Sequence, residues 1–357
     1  MSGRNVLSVA VLALMLAACG KPGEGGSAVS PASEELMKLA REQFKAIPVS
    51  YKDIAGNTAS DEQIKLGAML YHDPRLSGSH ALSCASCHNV GLGGGDDASF
   101  SIGHDFKQGG RNAPTVLNAT FNFAQFWDGR AKDLFEQAGG PIANPIEMNS
   151  PKEHVAEQLK SIPGYADAFA KAFPGDKDPI RLENVQTAIA AFETTLITPN
   201  APFDQYLGGK ADALTQEQKD GLKLFVDTGC AACHNGMNIG GGMYAKFGLV
   251  QAPDAKYRPA ADKGRMAVTK DAADEYSFKV PTLRNVTLTA PYFHTGSVWD
   301  LNEAIRVMAQ AQLGKQLSDA EVSKIAAFLG TLQGDQPKVE VPILPPSGAN
   351  TTRPVRN

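Results

Sequence analysis

Two pentapeptides constrain this chain more than anything else in it. They are "CASCH", holding Cys84, Cys87 and His88, and "CAACH", holding Cys230, Cys233 and His234. C-x-x-C-H is the spacing at which two thiols bond to the vinyl groups of a haem while the adjacent histidine is held beneath the iron. Zinc would want further ligand pairs close by, and a redox dithiol wants a βαβ setting; neither pattern surrounds these cysteines. Two such motifs predict two covalent c-type haems, with His88 and His234 as proximal ligands.

The flanking sequence repeats with them. "SDEQIKLGAMLYHD" precedes the first motif and "TQEQKDGLKLFVD" the second. Each opens with a capping box, Ser60 with Gln63 and Thr215 with Gln218, and continues with helical apolar spacing. Glycine runs follow both motifs, at 93–95 and 240–242. "APTVLNAT" (113–120) is echoed by "VPTLRNVT" (280–287), and "IAAFETTL" (189–196) by "IAAFLGTL" (325–332). Landmarks in the same order mean an internal duplication. Ile189, Phe192 and Leu196 make an apolar face on one closing helix, and Val322, Ile325, Phe328 and Leu329 on the other. Ser318 and Glu321 cap the second of these, with Leu317 and Val322 placed as a staple. No sustained strand alternation occurs, so the expected class is mostly α. The expected architecture is two cytochrome c-like domains, each with one covalent c-type haem, over residues 31–199 and 200–341. A proline-rich, irregular tail follows over 342–357.

The chain's 357 residues suffice for two or three domains. Its net charge of −4 leaves no basic footprint for nucleic acid. Arg4, the apolar run 6–16 and "LAAC" make residues 1–18 a signal peptide, too short in its apolar part to span a membrane. "LAAC" resembles a bacterial lipobox, in which Cys19 is lipidated; the alternative is an ordinary cleavage near Ala18. Residues 19–30 read as a flexible tether. The expected location is the periplasm, with membrane contact only through a lipid at Cys19. The lipobox and the two motifs use all five cysteines, leaving none for a structural disulfide.

Each iron needs a second axial ligand. In the second domain Met237, Met243, Met266, His294 and Met308 are candidates. Met308, in "EAIRVMAQAQLG" ahead of the last helix, best matches the downstream methionine of cytochrome c modules, although it could simply fill core. A His/Met iron has a raised potential and no vacant site, which suits electron transfer. The first domain offers His72, His80, His104 and Met148. Glycines flank His104 on both sides, so its segment could move and bind iron reversibly, or could be a plain surface loop. "ANPIEMNS" sets Glu147 beside Met148. Met148 as a ligand would make this half an electron carrier, whereas Glu147 beside an open iron face would make it an enzyme.

At this point the residues resemble a family, the bacterial dihaem cytochrome c peroxidases, over nearly all of the mature chain. The matching motifs are "SCASCHNVGLGG", "SIGH", "NAPTVLNATFNFAQFWDGRAKDL", "QAGGPI", "IEMN", "GCAACHNG", "VPTLRNVTLTAPYFHTGS" and "IRVMAQAQLG". The resemblance implies that the haem held by His234 and Met308 receives electrons at high potential. The haem held by His88 would be the low-potential centre that reacts with hydrogen peroxide. It implies that His104 is a labile ligand of that centre, released when the other haem is reduced. Glu147 would be the distal acid–base group, Gln137 would line the same pocket, and Trp127 would stand between the haems. It also implies a calcium ion at the domain interface, bound by the Asn112 side chain and the carbonyls of Thr289 and Pro291. Read without the family, Trp127 could be core packing and Asn112 a turn. Homodimerisation, common in the family, is an expectation from the resemblance alone. One departure is His72, where the family more often has an aromatic residue.

The function expected is reduction of hydrogen peroxide to water with electrons from a small periplasmic cytochrome c or copper protein. Two alternatives stand beside it: a dihaem electron carrier without catalysis, and the related enzyme that oxidises a protein substrate in methylamine utilisation. The latter has tyrosine where this chain has Met308.

Overall fold

A computed structural model describes residues 31–354; the signal segment, Cys19 and the tether lie outside them. Twelve α-helices occur among the described residues. Through the first haem motif and the chain after it they are α1 (Pro31–Gln43), α2 (Asp61–His72), α3 (Cys84–Cys87), α4 (Leu134–Ala143), α5 (Lys152–Lys160), α6 (Pro163–Ala172) and α7 (Leu182–Glu193). The rest are α8 (Pro202–Leu207), α9 (Gln216–Thr228), α10 (Met266–Thr269), α11 (Leu301–Leu313) and α12 (Asp319–Gly330). A two-stranded antiparallel ribbon joins β1 (Tyr244–Lys246) to β2 (Ser277–Lys279), pairing Tyr244 with Lys279.

The capping boxes start the helices they predict. Ser60 Oγ accepts from the Gln63 N–H while the Gln63 side chain accepts from the Ser60 N–H; Thr215 with Gln218 and Ser318 with Glu321 do the same. A small residue then sets each main crossing. A Cβ on Gly67 of α2 would lie 1.8 Å from the Ala188 carbonyl oxygen of α7, and one on Gly221 of α9 1.9 Å from that of Lys324 on α12. Glycine is therefore what lets each pair of backbones touch. Around these crossings sit two apolar cores. One gathers Leu66, Leu70 and Tyr71 with Ile142, Phe169, Ile189 and Phe192; the other gathers Leu222, Phe225, Ile305, Val322, Ile325, Phe328 and Leu329. Each fully buried side chain of this kind contributes about 1.5–3 kcal/mol. Met148 is buried in the first core. The ring of His72 packs edge-on against Tyr71 and Phe192 while its Nδ1 meets the Ala68 carbonyl at 2.8 Å, filling an aromatic's place.

The repeats meet at shared atoms. Asn118 and Asn285, equivalent in the duplicated "NAT"/"NVT" segments, both adopt left-handed φ (60° and 57°). Both side-chain amides donate to Thr198 Oγ1, at 2.8 and 2.9 Å. Arg284, which replaces Leu117 in the second copy, is fully buried in a two-point pair with Asp204 and also donates to the Met237 and Lys45 carbonyls.

Two chain ends cross between the cores. Met37 and Ala40 of α1, with Phe44 just after it, pack into the second core rather than the first. The segment after α12 carries no regular structure and returns over the first half. Val339 packs on the first core, Ser347 accepts from Arg75 at 3.0 Å, and Thr351 donates to the Ser161 carbonyl at 3.0 Å.

Candidate functional site

The second C-x-x-C-H follows α9, which stops at Gly229 in a left-handed conformation (φ 106°). The turn that follows points Cys230, Cys233 and His234 into one cavity. Met308 of α11 lines the same cavity, together with Phe225, Ile325 and Leu329. Of the other sequence candidates His294 reaches this lining, whereas Met237, Met243 and Met266 do not. Burial holds His234 down to about 4 and pushes the Cys230 thiol up to about 11, so the imidazole is neutral and the thiol protonated. His234 Nδ1 faces the Ile239 carbonyl at 3.4 Å. That orientation leaves Nε2 for a metal.

The first C-x-x-C-H is the short helix α3, and the His88 N–H closes it on the Cys84 carbonyl at 2.9 Å. Tyr71 of α2 donates from its hydroxyl to the His88 carbonyl at 2.6 Å. The Gly94 and Pro114 carbonyls face the His88 ring, but no hydrogen bond closes on its buried Nδ1, and burial lowers its pKa. Pro114 and Pro281, which faces His234, are equivalent in the repeat.

His104 and Glu147 are brought together. The His104 N–H donates to the Glu147 carbonyl at 2.8 Å, and a Cβ on the preceding Gly103 would lie 2.0 Å from the Ile146 carbonyl oxygen. His104 is only 2% exposed, yet neither ring nitrogen has a hydrogen-bond partner. Asp105 Oδ2 lies 3.2 Å from its Nε2 as an ion-pair contact. The loop beyond is strained: Asp105 and Phe106 both hold left-handed φ (54° and 60°), and Phe106 is 90% exposed.

Glu147 follows the end of α4, which carries Pro141 inside its last turn and is capped by Asn144, whose N–H meets the Pro141 carbonyl. Glu147 Oε1 accepts from Asn144 Nδ2 at 2.8 Å. Burial raises its pKa, and the Arg130 charge and the Asn144 bond oppose that rise. Glu147 in turn acts electrostatically on Cys84 and Cys87, which puts it on the side of the first motif. Gln137 lies half-buried on α4. The sequence reading missed Arg130 and Asn144; their signal was proximity to Glu147 across the turn, visible only once α4 is folded.

Trp127, Asn112, Thr289 and Pro291 all line the second-haem cavity. Trp127 Nε1 donates to the Asn112 carbonyl at 2.9 Å, and the Asn112 N–H donates to the His294 carbonyl at 2.8 Å. Asn112 Nδ2 donates to the Ala98 carbonyl at 2.8 Å, and Asn112 lines the same cavity as residues 289–291. Asp96 and Asp97 share that wall. So does Lys279, 6% exposed, whose pKa burial lowers to about 8.

These donors fit c-type haem. Four free thiols, two proximal imidazoles and the buried ring of His104, whose nitrogens make no hydrogen bond, fit two covalent haems. Residues 61–212 match the di-haem cytochrome c peroxidase family, and residues 218–333 match cytochrome c. The cytochrome c551 peroxidase of Pseudomonas aeruginosa is 54% identical over 90% of this chain and 93% of its own. That of Nitrosomonas europaea is 46% identical over 98% of both. A solved MauG-like protein associated with microbial copper homeostasis superposes with a TM-score of 0.70 at 28% identity, covering 81% of this chain and 93% of that one. The chain belongs to the dihaem cytochrome c peroxidases: a mostly helical, two-haem, peroxide-reducing oxidoreductase.

Proposed function

We propose that the protein reduces hydrogen peroxide with electrons taken singly from a small periplasmic cytochrome c or copper protein. Cys230, Cys233, His234 and Met308 would hold the haem that supplies the electron-accepting iron, and Cys84, Cys87 and His88 the haem that supplies the iron for peroxide. The observation that carries this division is the pairing of His104 with Glu147 on the first-haem side, against Met308 in the second cavity. When bound, each haem supplies a one-electron iron centre, and the first also supplies the place where peroxide is held.

The chain's own groups do the rest. His104, on a strained loop bounded by glycines, covers the first site in the resting state and leaves it on activation. Glu147 takes the proton from the inner oxygen of peroxide and returns it to the outer one. Its desolvated carboxyl is suited to both steps, because burial brings its pKa toward the working pH. Gln137 lines that pocket, and Trp127, fixed through Asn112, lies on the electron path between the haems. Calcium, held by Asn112 Oδ1 and the carbonyls of Thr289 and Pro291, would tie the 93–115 and 280–295 loops together; an amide and carbonyls suit a hard cation. Lys279, buried in the cavity wall, would offer a cation to an acidic group of the second haem.

The domain boundaries we propose remain 31–199 and 200–341, with α1 strapped to the second unit. Residues 1–18 act as an export signal and Cys19 as a lipid anchor in the periplasm; among the described residues no helix is long and apolar enough to cross a membrane. We include homodimerisation in the proposal, as in other family members. Methionine rather than tyrosine at 308 supports peroxide reduction over protein oxidation. Glu147→Gln tests the reading. Peroxide turnover should collapse with both haems still attached, and unchanged turnover would remove Glu147 from the chemistry.

A further inference from the structure

The duplication makes a controlled comparison between the walls of the two haem sites. Aligning Gly67 with Gly221 at the helix crossings sets Tyr71 of α2 opposite Phe225 of α9. Aligning "IAAF" with "IAAF" sets Glu193 of α7 opposite Leu329 of α12. In the second unit Phe225 and Leu329 both line the haem cavity, and the Phe225 ring lies 6.5 Å from that of His234. In the first unit the same two places hold a phenol and a carboxyl. Tyr71 is fully buried with its hydroxyl on the His88 carbonyl, and Glu193 is 5% exposed.

Glu193 is the odd member of this set. Among the described residues its carboxyl makes no hydrogen bond and no ion pair. Burial alone moves its pKa, up to about 8. The titratable groups that face it are Tyr71 from α2 and Cys84 from α3, and it acts electrostatically on both. No structural purpose accounts for a partnerless carboxyl where the other copy uses leucine, since burying it costs stability that leucine would not. The helix face itself would be complete with Ile189 and Phe192.

We propose that Glu193 is a positioning residue whose ionisation makes the first-haem potential fall as pH rises and couples its reduction to uptake of one proton. A carboxylate in an apolar wall stabilises ferric over ferrous iron. The second haem, walled by Leu329, has no such bias. On reduction, one electron from the second haem or a mediator goes to the iron, and one proton from solvent goes to the Glu193 carboxylate. The only bond formed is that O–H bond. The proposal rests on the division of labour above only in taking the first haem as the one that accepts an electron from the second.

Spectroelectrochemical titration of both haems in the purified dihaem protein, at pH 6 and pH 9, tests it. In Glu193→Gln the first-haem potential should match wild type at pH 6, where the carboxyl is already neutral. At pH 9 it should favour the reduced form several-fold more than wild type, up to about tenfold, about 59 mV for one electron. The second haem should not move. Leu329→Glu should do the reverse, giving the second haem a pH-dependent, lower potential. A purely structural role would shift both pH values alike or neither. A first-haem potential in Glu193→Gln that keeps the wild-type pH dependence overturns the proposal, and so does a pH-independent second-haem potential in Leu329→Glu. If the wild-type titration instead put the lower potential on the Met308 haem, the division of labour would fall while the Glu193 shift could still stand.

Discussion

At the scale of single residues the chemistry turns on one carboxyl. Burial raises the Glu147 pKa, and the Arg130 charge and the Asn144 hydrogen bond oppose that rise. Replacing Glu147 with glutamine should lower peroxide turnover by about 10²–10⁴-fold, the usual worth of a positioned proton carrier. Arg130 offers a test of sign. Its charge lowers the Glu147 pKa, so Arg130→Gln should raise it, and the acid limb of the turnover–pH profile should move to higher pH. A limb that stayed in place or moved down would exclude this electrostatic link. The six attachment residues were legible in the sequence because covalent haem attachment demands a fixed local spacing, Cys84–Cys87–His88 and its copy, whereas roles for Glu147, Gln137, Trp127 and Asn112 came only from the family resemblance. Glu193 was not legible. Its helix was read by its apolar face, and only the folded repeat shows that the same position faces haem in the other half.

Elements follow the same logic. The capping boxes of Ser60, Thr215 and Ser318 could be read directly, since a cap is satisfied within one turn of its own helix. The crossings could not, because Gly67 and Gly221 matter for what approaches them from 120 or so residues away. Gly221→Ala should destabilise the second unit by about 1–3 kcal/mol, the cost of overpacking a close contact, in chemical denaturation followed by haem absorbance. An unchanged midpoint would mean that α9 and α12 have slack at this point. The destination of α1 was equally hidden. Its apolar face has no mark saying which core it serves, and it joins the second although it precedes the first. The consecutive left-handed residues Asp105 and Phe106 were also invisible, because neither residue type announces that backbone. They give the His104 loop a reason to move beyond its flanking glycines.

For the whole molecule, two copies of one module have been made unequal by a few substitutions around a shared scaffold. We propose that Met308, which lines the second cavity, closes that site with a soft ligand, while His104 on its strained loop covers the first. Met308→His should lower the potential of one haem and slow electron uptake from the donor; an unmoved potential would mean that Met308 is no ligand. Trp127, Asn112 and His294 form a continuous contact along the second cavity, and Thr198 ties the two repeat asparagines together. The most direct test of this account is peroxide turnover measured on the fully oxidised protein and again after one-electron reduction, with both haem spectra recorded. We predict that reducing the Met308 haem changes the spectrum of the His88 haem, as His104 leaves, and raises turnover. Reduction that left the first-haem spectrum and the turnover unchanged would contradict it.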